Sequence, residues 1–111
     1  MKLIIATIEP QMLDDVVYAL HQIEDFPGAT IADVKGTGKG FHQSDHSNVR
    51  PDSFEFPLFK RLEIICADDQ CEEITRALRE NASTGNVDDG TIVVVPTDHA
   101  VGITGRLKRV R

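Results

Sequence analysis

Three stretches of this chain carry side chains whose types and spacing could do chemistry. The densest is Thr84-Gly85-Asn86-Val87-Asp88-Asp89-Gly90-Thr91, with two glycines and two acidic residues in eight positions. Glycine admits backbone conformations closed to other residues, so such a loop can aim several N–H groups at one point and cradle an anion, phosphate above all. The same residues also suit a plainer role, a helix C-cap at Gly85 followed by an Asp-Gly turn into a strand. The second stretch, His42-Gln43-Ser44-Asp45-His46, places two imidazoles and a carboxylate within five residues. That is a donor set for Zn, Cu, Ni or Co, and its structural alternative is a pair of solvated loop histidines. The third, Cys66 and Cys71, falls in strand-like and helix-like patterns and reads as two buried free thiols rather than a disulfide or a zinc pair.

Other chemically suggestive residues have structural readings. His99 lies near the end of a strand and His21 on a helix surface. The pairs Asp14-Asp15 and Glu72-Glu73 are first-turn charges that favour the helix dipole, not a catalytic dyad.

The elements that must position these residues follow from periodicity. Lys2 to Ile8 is short and rich in Ile and Leu, a buried strand. Glu9-Pro10 opens a helix in which Met12, Leu13, Val16, Val17, Leu20 and Ile23 share one face, and Pro27-Gly28 ends it. Thr30 to Lys35 alternates as a second strand, and Leu58 to Cys66 as a third with Leu62, Ile64 and Cys66 on one side. Asp69 with Glu72, or Asp68 alone, is expected to cap the next helix, which turns Cys71, Ile74, Leu78 and Ala82 inward. Ile92 to Val95 is the fourth strand, ended by Pro96, and a short extended piece is expected around Ala100 to Ile103. Between strands two and three, Thr37 to Glu55 has no regular pattern, and connections of that length in small domains are generally functional or disordered.

The halves repeat. Asp14-Asp15-Val16-Val17-Tyr18-Ala19-Leu20 matches Glu72-Glu73-Ile74-Thr75-Arg76-Ala77-Leu78, each after an apolar strand. Two such units, with right-handed crossovers placing both helices on one face, give an α+β, ferredoxin-like fold with a four-stranded antiparallel sheet. The other face is left bare, and apolar members such as Ile5 and Ile65 call for association. Small domains of this kind include acyl-phosphate hydrolases, but Lys2 to Pro10 offers no arginine, no glycine cradle and no nucleophile with an adjacent base, so an enzyme is not expected.

With 111 residues, the chain is a single domain, and a cleft is expected to come from oligomerisation. The formal net charge of −6 disfavours nucleic acid, although Arg106, Lys108, Arg109 and Arg111 make a basic tail from about residue 105. No apolar run approaches the ~20 residues of a membrane span, and the start lacks a signal-peptide layout, so no membrane insertion and a cytoplasmic location are expected.

Together these pieces resemble the PII-type signal-transduction family, in a divergent branch. The resemblance is carried by Asp33-Val34-Lys35-Gly36-Thr37-Gly38, by Leu62-Glu63-Ile64-Ile65, most strongly by Thr84 to Ile92, and by Thr104-Gly105. It implies a homotrimer that binds adenine nucleotide (ATP, ADP or AMP) between subunits and engages a protein target through a long T-loop, here residues 37–55. It assigns Gly36, Thr37, Gly38 and Lys39 to one side of the phosphates and Asp89, Gly90 and Thr91 to the other, with Ile8, Thr30 and Ile65 around the adenine and ribose.

The departures from that family pattern are specific. Its lysine after the Asp-Gly and its two alternating arginines are here Thr91, Val101 and Ile103, and a family glutamine that helps magnesium and 2-oxoglutarate bind is Gly40. Each charge-assisted contact contributes on the order of 1.5 to 3 kcal/mol, so weakened, lower-phosphate-biased or lost nucleotide binding is expected. The one tyrosine, Tyr18, lies outside the long loop, which removes the uridylylation known in part of the family. The Asp25-Phe26-Pro27-Gly28 turn and the Lys-Gly-Thr-Gly-Lys-Gly run are similar to a branch linked to heavy-metal efflux, which implies a membrane transporter as target. The alternative is a metal-responsive member that binds a divalent transition metal through His42, Asp45 and His46.

Overall fold

The computed structural model describes residues 1–38, 56–86 and 89–105. Four strands, β1 (Lys2–Ile8), β2 (Thr30–Lys35), β3 (Leu58–Cys66) and β4 (Gly90–Pro96), form one sheet in the order β2-β3-β1-β4 with every neighbouring pair antiparallel. Two helices, α1 (Leu13–His21) and α2 (Cys71–Ala82), pack together on one side of it. This is the expected ferredoxin-like α+β arrangement.

Strand alternation sorts side chains between a helix-covered face and an open face. Ile4, Ala6 and Ile8 of β1 and Leu62, Ile64 and Cys66 of β3 point at the helices, meeting Val16, Leu20, Ile74, Leu78 and Ala82 in one buried core. The opposite face carries Leu3 and Ile5, Ile65, and Val93 and Val95, the last two 47% and 38% exposed. This is the bare apolar surface that the repeat implies.

The helix entries differ from expectation. Pro10–Met12 is a 3-10 turn, so α1 proper begins only at Leu13. At the second helix the Asp69–Glu72 capping box is not the device used, and Asp68 is engaged elsewhere: its carboxylate pairs with the Met1 amino group at 2.6 Å. The chain instead enters α2 through a 3-10 turn, Asp68–Gln70, held by Gln70. Gln70 is buried; its Oε1 accepts from the Ala67 N–H at 3.4 Å and its Nε2 donates to the Asp25 carbonyl at 3.0 Å. A buried side chain that serves both halves of the repeat prevails over an exposed acid, because its polar groups have no water to fall back on.

The fourth strand is longer than the apolar run, beginning at Gly90 because Gly90 pairs with Ile8. The piece around Ala100 to Ile103 amounts to a bridge at Val101 and a turn in which Gly105 N–H donates to the Gly102 carbonyl at 2.9 Å. Among the described residues no helix is long and apolar enough to cross a membrane.

Gln70→Ala removes two part-buried hydrogen bonds and leaves a void at a buried side chain, so it should lower stability by about 2 kcal/mol. Urea unfolding followed by circular dichroism would show the midpoint falling at unchanged slope.

Candidate functional site

The residues after α2 build a loop that closes on its own side chains. Ser83, the C-cap, turns the backbone out of the helix. The Asp89 carboxylate reaches back to accept from Thr84 N–H at 2.7 Å, from the Thr84 hydroxyl, and from the Ser83 hydroxyl at 3.4 Å. Asn86 Nδ2 adds a bond to the Thr84 hydroxyl at 3.1 Å. Slight burial works to raise the Asp89 pKa, but the donors from Thr84, Ser83 and Asn86 outweigh it and hold the carboxyl below its ordinary value. Asp89 is therefore a clasp within the loop.

Gly90 follows in a conformation, φ +130°, that side-chain-bearing residues rarely adopt. A Cβ there would stand 1.9 Å from the Thr7 carbonyl oxygen. Only glycine lets the loop meet the central strand this closely.

The assigned residues fall in two groups. Ile8, Asp89, Gly90 and Thr91 come together where β1 ends and β4 begins. Gly36, Thr37 and Gly38 lie past the end of β2, where Gly36 N–H donates to the Pro57 carbonyl at 2.9 Å and pins the base of the long connection. Both groups are at the same end of the sheet but at opposite edges, three strand spacings or about 14 Å apart. Thr30, opposite Glu63, and Ile65, opposite Leu3, are on the open face, whereas Ile8 faces the helices. One chain does not bring these sets together. Lys39, His42, Asp45 and His46 lie outside the described residues, as does the basic tail beyond Gly105; among the described residues no group of His, Cys, Asp and Glu is placed to hold a metal ion.

Beside the Asp89–Thr91 turn is a cavity of about 670 Å³ between α2 and the start of β4. Ile8, Leu78, Ala82 and Ile92 form its apolar floor, and Arg76, Arg79, Glu80 and Ser83 line its flank at the i, i+3, i+4, i+7 spacing of one helix stripe. The sequence reading missed these arginines. Their signal was present, two cations three apart on the helix that leads into the anion-loop motif. Acidic groups lie close by: burial, and then repulsion from Asp89, push the Glu9 carboxyl above its ordinary value.

Comparison with known proteins now bears on this arrangement. The family model described as nitrogen regulatory protein P-II matches residues 1–106. The chain belongs to the P-II family. It is 35% identical to the nitrogen regulatory protein P-II of Rhizobium etli over 106 residues, covering 93% of this chain and 91% of the relative. It is 31% identical to the nitrogen regulatory protein GlnK2 of Haloferax mediterranei over 111 residues, covering 97% and 88%. With GlnK of Escherichia coli the identity is 31% over 103 residues, covering 93% and 91%. This P-II chain thus carries the family's loop with exposed, uncharged residues, Thr91, Val101 and Ile103, where the family pattern has cations.

Two outcomes test this account of the loop. Gly90→Ala should cost about 2 to 4 kcal/mol by urea unfolding, because the Cβ meets backbone and not a flexible side chain. The Asp89 clasp should be fully present above the ordinary carboxylate pKa of 3.8 and be lost as pH falls through the lower folded value. The protection of the Thr84 amide, taken relative to its intrinsic exchange rate at each pH, should fall across that acidic window in the parent protein, and Asp89→Asn should show no such acid-dependent step.

Proposed function

We propose that this chain is a P-II regulatory protein, not an enzyme, that assembles as a homotrimer and binds adenine nucleotide in the clefts between copies. The observation that carries the reading is the separation of the two glycine turns. Gly36 to Gly38 and Asp89 to Thr91 occupy opposite edges of one sheet end, so only a neighbouring copy can bring one turn against the other. The apolar open face, with Leu3, Ile5, Ile65, Val93 and Val95, supplies the surface on which copies would associate.

The phosphate grip in this reading is weak. Thr91, Val101 and Ile103 supply no charge, Asp89 is turned into its own loop, and Glu9 adds negative potential nearby. A diphosphate or monophosphate suffers less from the missing cations than a triphosphate does. Signalling follows as a population shift: a nucleotide acts only through its preference for one arrangement of the segment 37–55, which then docks on or releases a protein target, with a membrane transporter as the proposed class.

Sedimentation and calorimetry on one pair of proteins test this. The parent protein should sediment as a trimer and bind ATP no more tightly than ADP. Val93→Asp, a change on an open face that costs a lone chain little, should sediment as a monomer and lose the nucleotide heat signal with the assembly. A parent protein that is monomeric, or a monomeric variant with undiminished nucleotide binding, would overturn the proposal.

A further inference from the structure

We infer that the cavity between α2 and the start of β4 is an anion site with its own cationic flank on α2, lined within one chain. Its ligand class is a small amphipathic anion, an apolar body bearing a single phosphate or carboxylate group. The site shares Ile8 and the Asp89–Thr91 turn with the proposed nucleotide cleft, but Arg76, Arg79 and the α2 flank are its own and all its lining residues belong to one chain, so it does not rest on that reading.

The cavity exists because the helix layer does not reach the edge of the sheet. The main contacts of α2 with the sheet are to β1, and the helix-side residues of β4 are less covered: Ile92 is half-buried and Val94 42% exposed. Gly90 has no side chain to fill the gap at the end of the strand. The resulting space of about 670 Å³ is within the range of small-molecule sites, with a hydrophobic floor and a few polar groups converging from one flank.

Charge decides the ligand class. The Arg79 guanidinium makes no hydrogen bond or ion pair among the described residues. Arg76 pairs with Glu72 at 3.3 Å, its one such partner among the described residues, in an exposed i,i+4 pair that contributes little and is readily exchanged for a better acceptor. Glu80 and Asp89 also line the cavity, which leaves no net positive charge on its walls, but the Asp89 carboxylate is occupied by Thr84 and Ser83. Two guanidinium groups facing a near-neutral cavity suit one anionic group on an apolar body. They do not suit a polyphosphate, whose remaining charges would meet Glu80 unpaired.

Phenyl phosphate, benzoate and inorganic phosphate, titrated separately into the isotopically labelled protein, test this. The two organic anions should shift the amides of Arg79, Ser83, Gly90 and Ile92, and inorganic phosphate should bind far more weakly because it cannot use the floor. Which organic anion binds tighter identifies the headgroup as phosphate or carboxylate. Arg79→Gln should weaken the better probe about tenfold, and Arg79→Lys should recover part of the loss. Val93→Asp, which removes the proposed cleft, should leave this binding intact and so separates failure of one reading from failure of the other. Overturning results are an absence of shifts at those amides up to millimolar probe, equal affinity in parent and Arg79→Gln, or inorganic phosphate binding as well as the organic anions.

Discussion

The contact on which the rest of this structure depends is the approach of Gly90 to the carbonyl of Thr7. Because no Cβ intervenes, the turn after α2 runs directly into the ladder with β1, and β4 starts in register at Ile8. That register sets the alternation of β4, sending Ile92 toward the helices and Val93 and Val95 to the open face. It also holds the C-terminal end of α2 over the end of β1, with the Asp89 clasp taking up the slack between helix and strand. Loop, cavity and bare sheet face are three consequences of one backbone approach.

The electrostatics of this end of the molecule are redistributed relative to the family pattern. Where that pattern concentrates cations on the side of the Asp-Gly turn that meets a neighbour, this chain has Thr91, Val101 and Ile103. Among the described residues, the cations lining the space beside the turn are on the helix side, at Arg76 and Arg79. The loop motif is retained without those three cations, and burial together with Asp89 repulsion raises the Glu9 carboxyl beside it. A fold can keep a family's backbone cradle while changing which ligand charges that cradle tolerates.

A sheet with helices on one side alone leaves a face that water does not favour. Here the centre of that face is aliphatic, while Arg61 and Glu63 pair at 3.1 Å on β3 beside it. The mixture suits a surface covered by another copy more than one exposed to solvent, since scattered surface aliphatics are ordinary but contiguous ones are not.

Much of this was legible in the linear chain because local periodicity carries it. The strands Lys2–Ile8, Thr30–Lys35 and Leu58–Cys66 are marked by alternation and turn residues, and the inward positions of α2 by helical spacing. The matching halves implied two helices on one face, and the Thr84 to Thr91 motif placed the loop. Tertiary contacts decided what no window of sequence contains. Gln70 displaced the acidic caps because its buried side chain reaches the Asp25 carbonyl, 45 residues away, through a hydrogen bond. Asp89 became a clasp because Thr84 came within its reach, and Arg76 and Arg79 became cavity walls because α2 stops short of β4. Composition and spacing report what a residue can do; which partner it meets depends on how distant strands pair, and only the assembled sheet determines that.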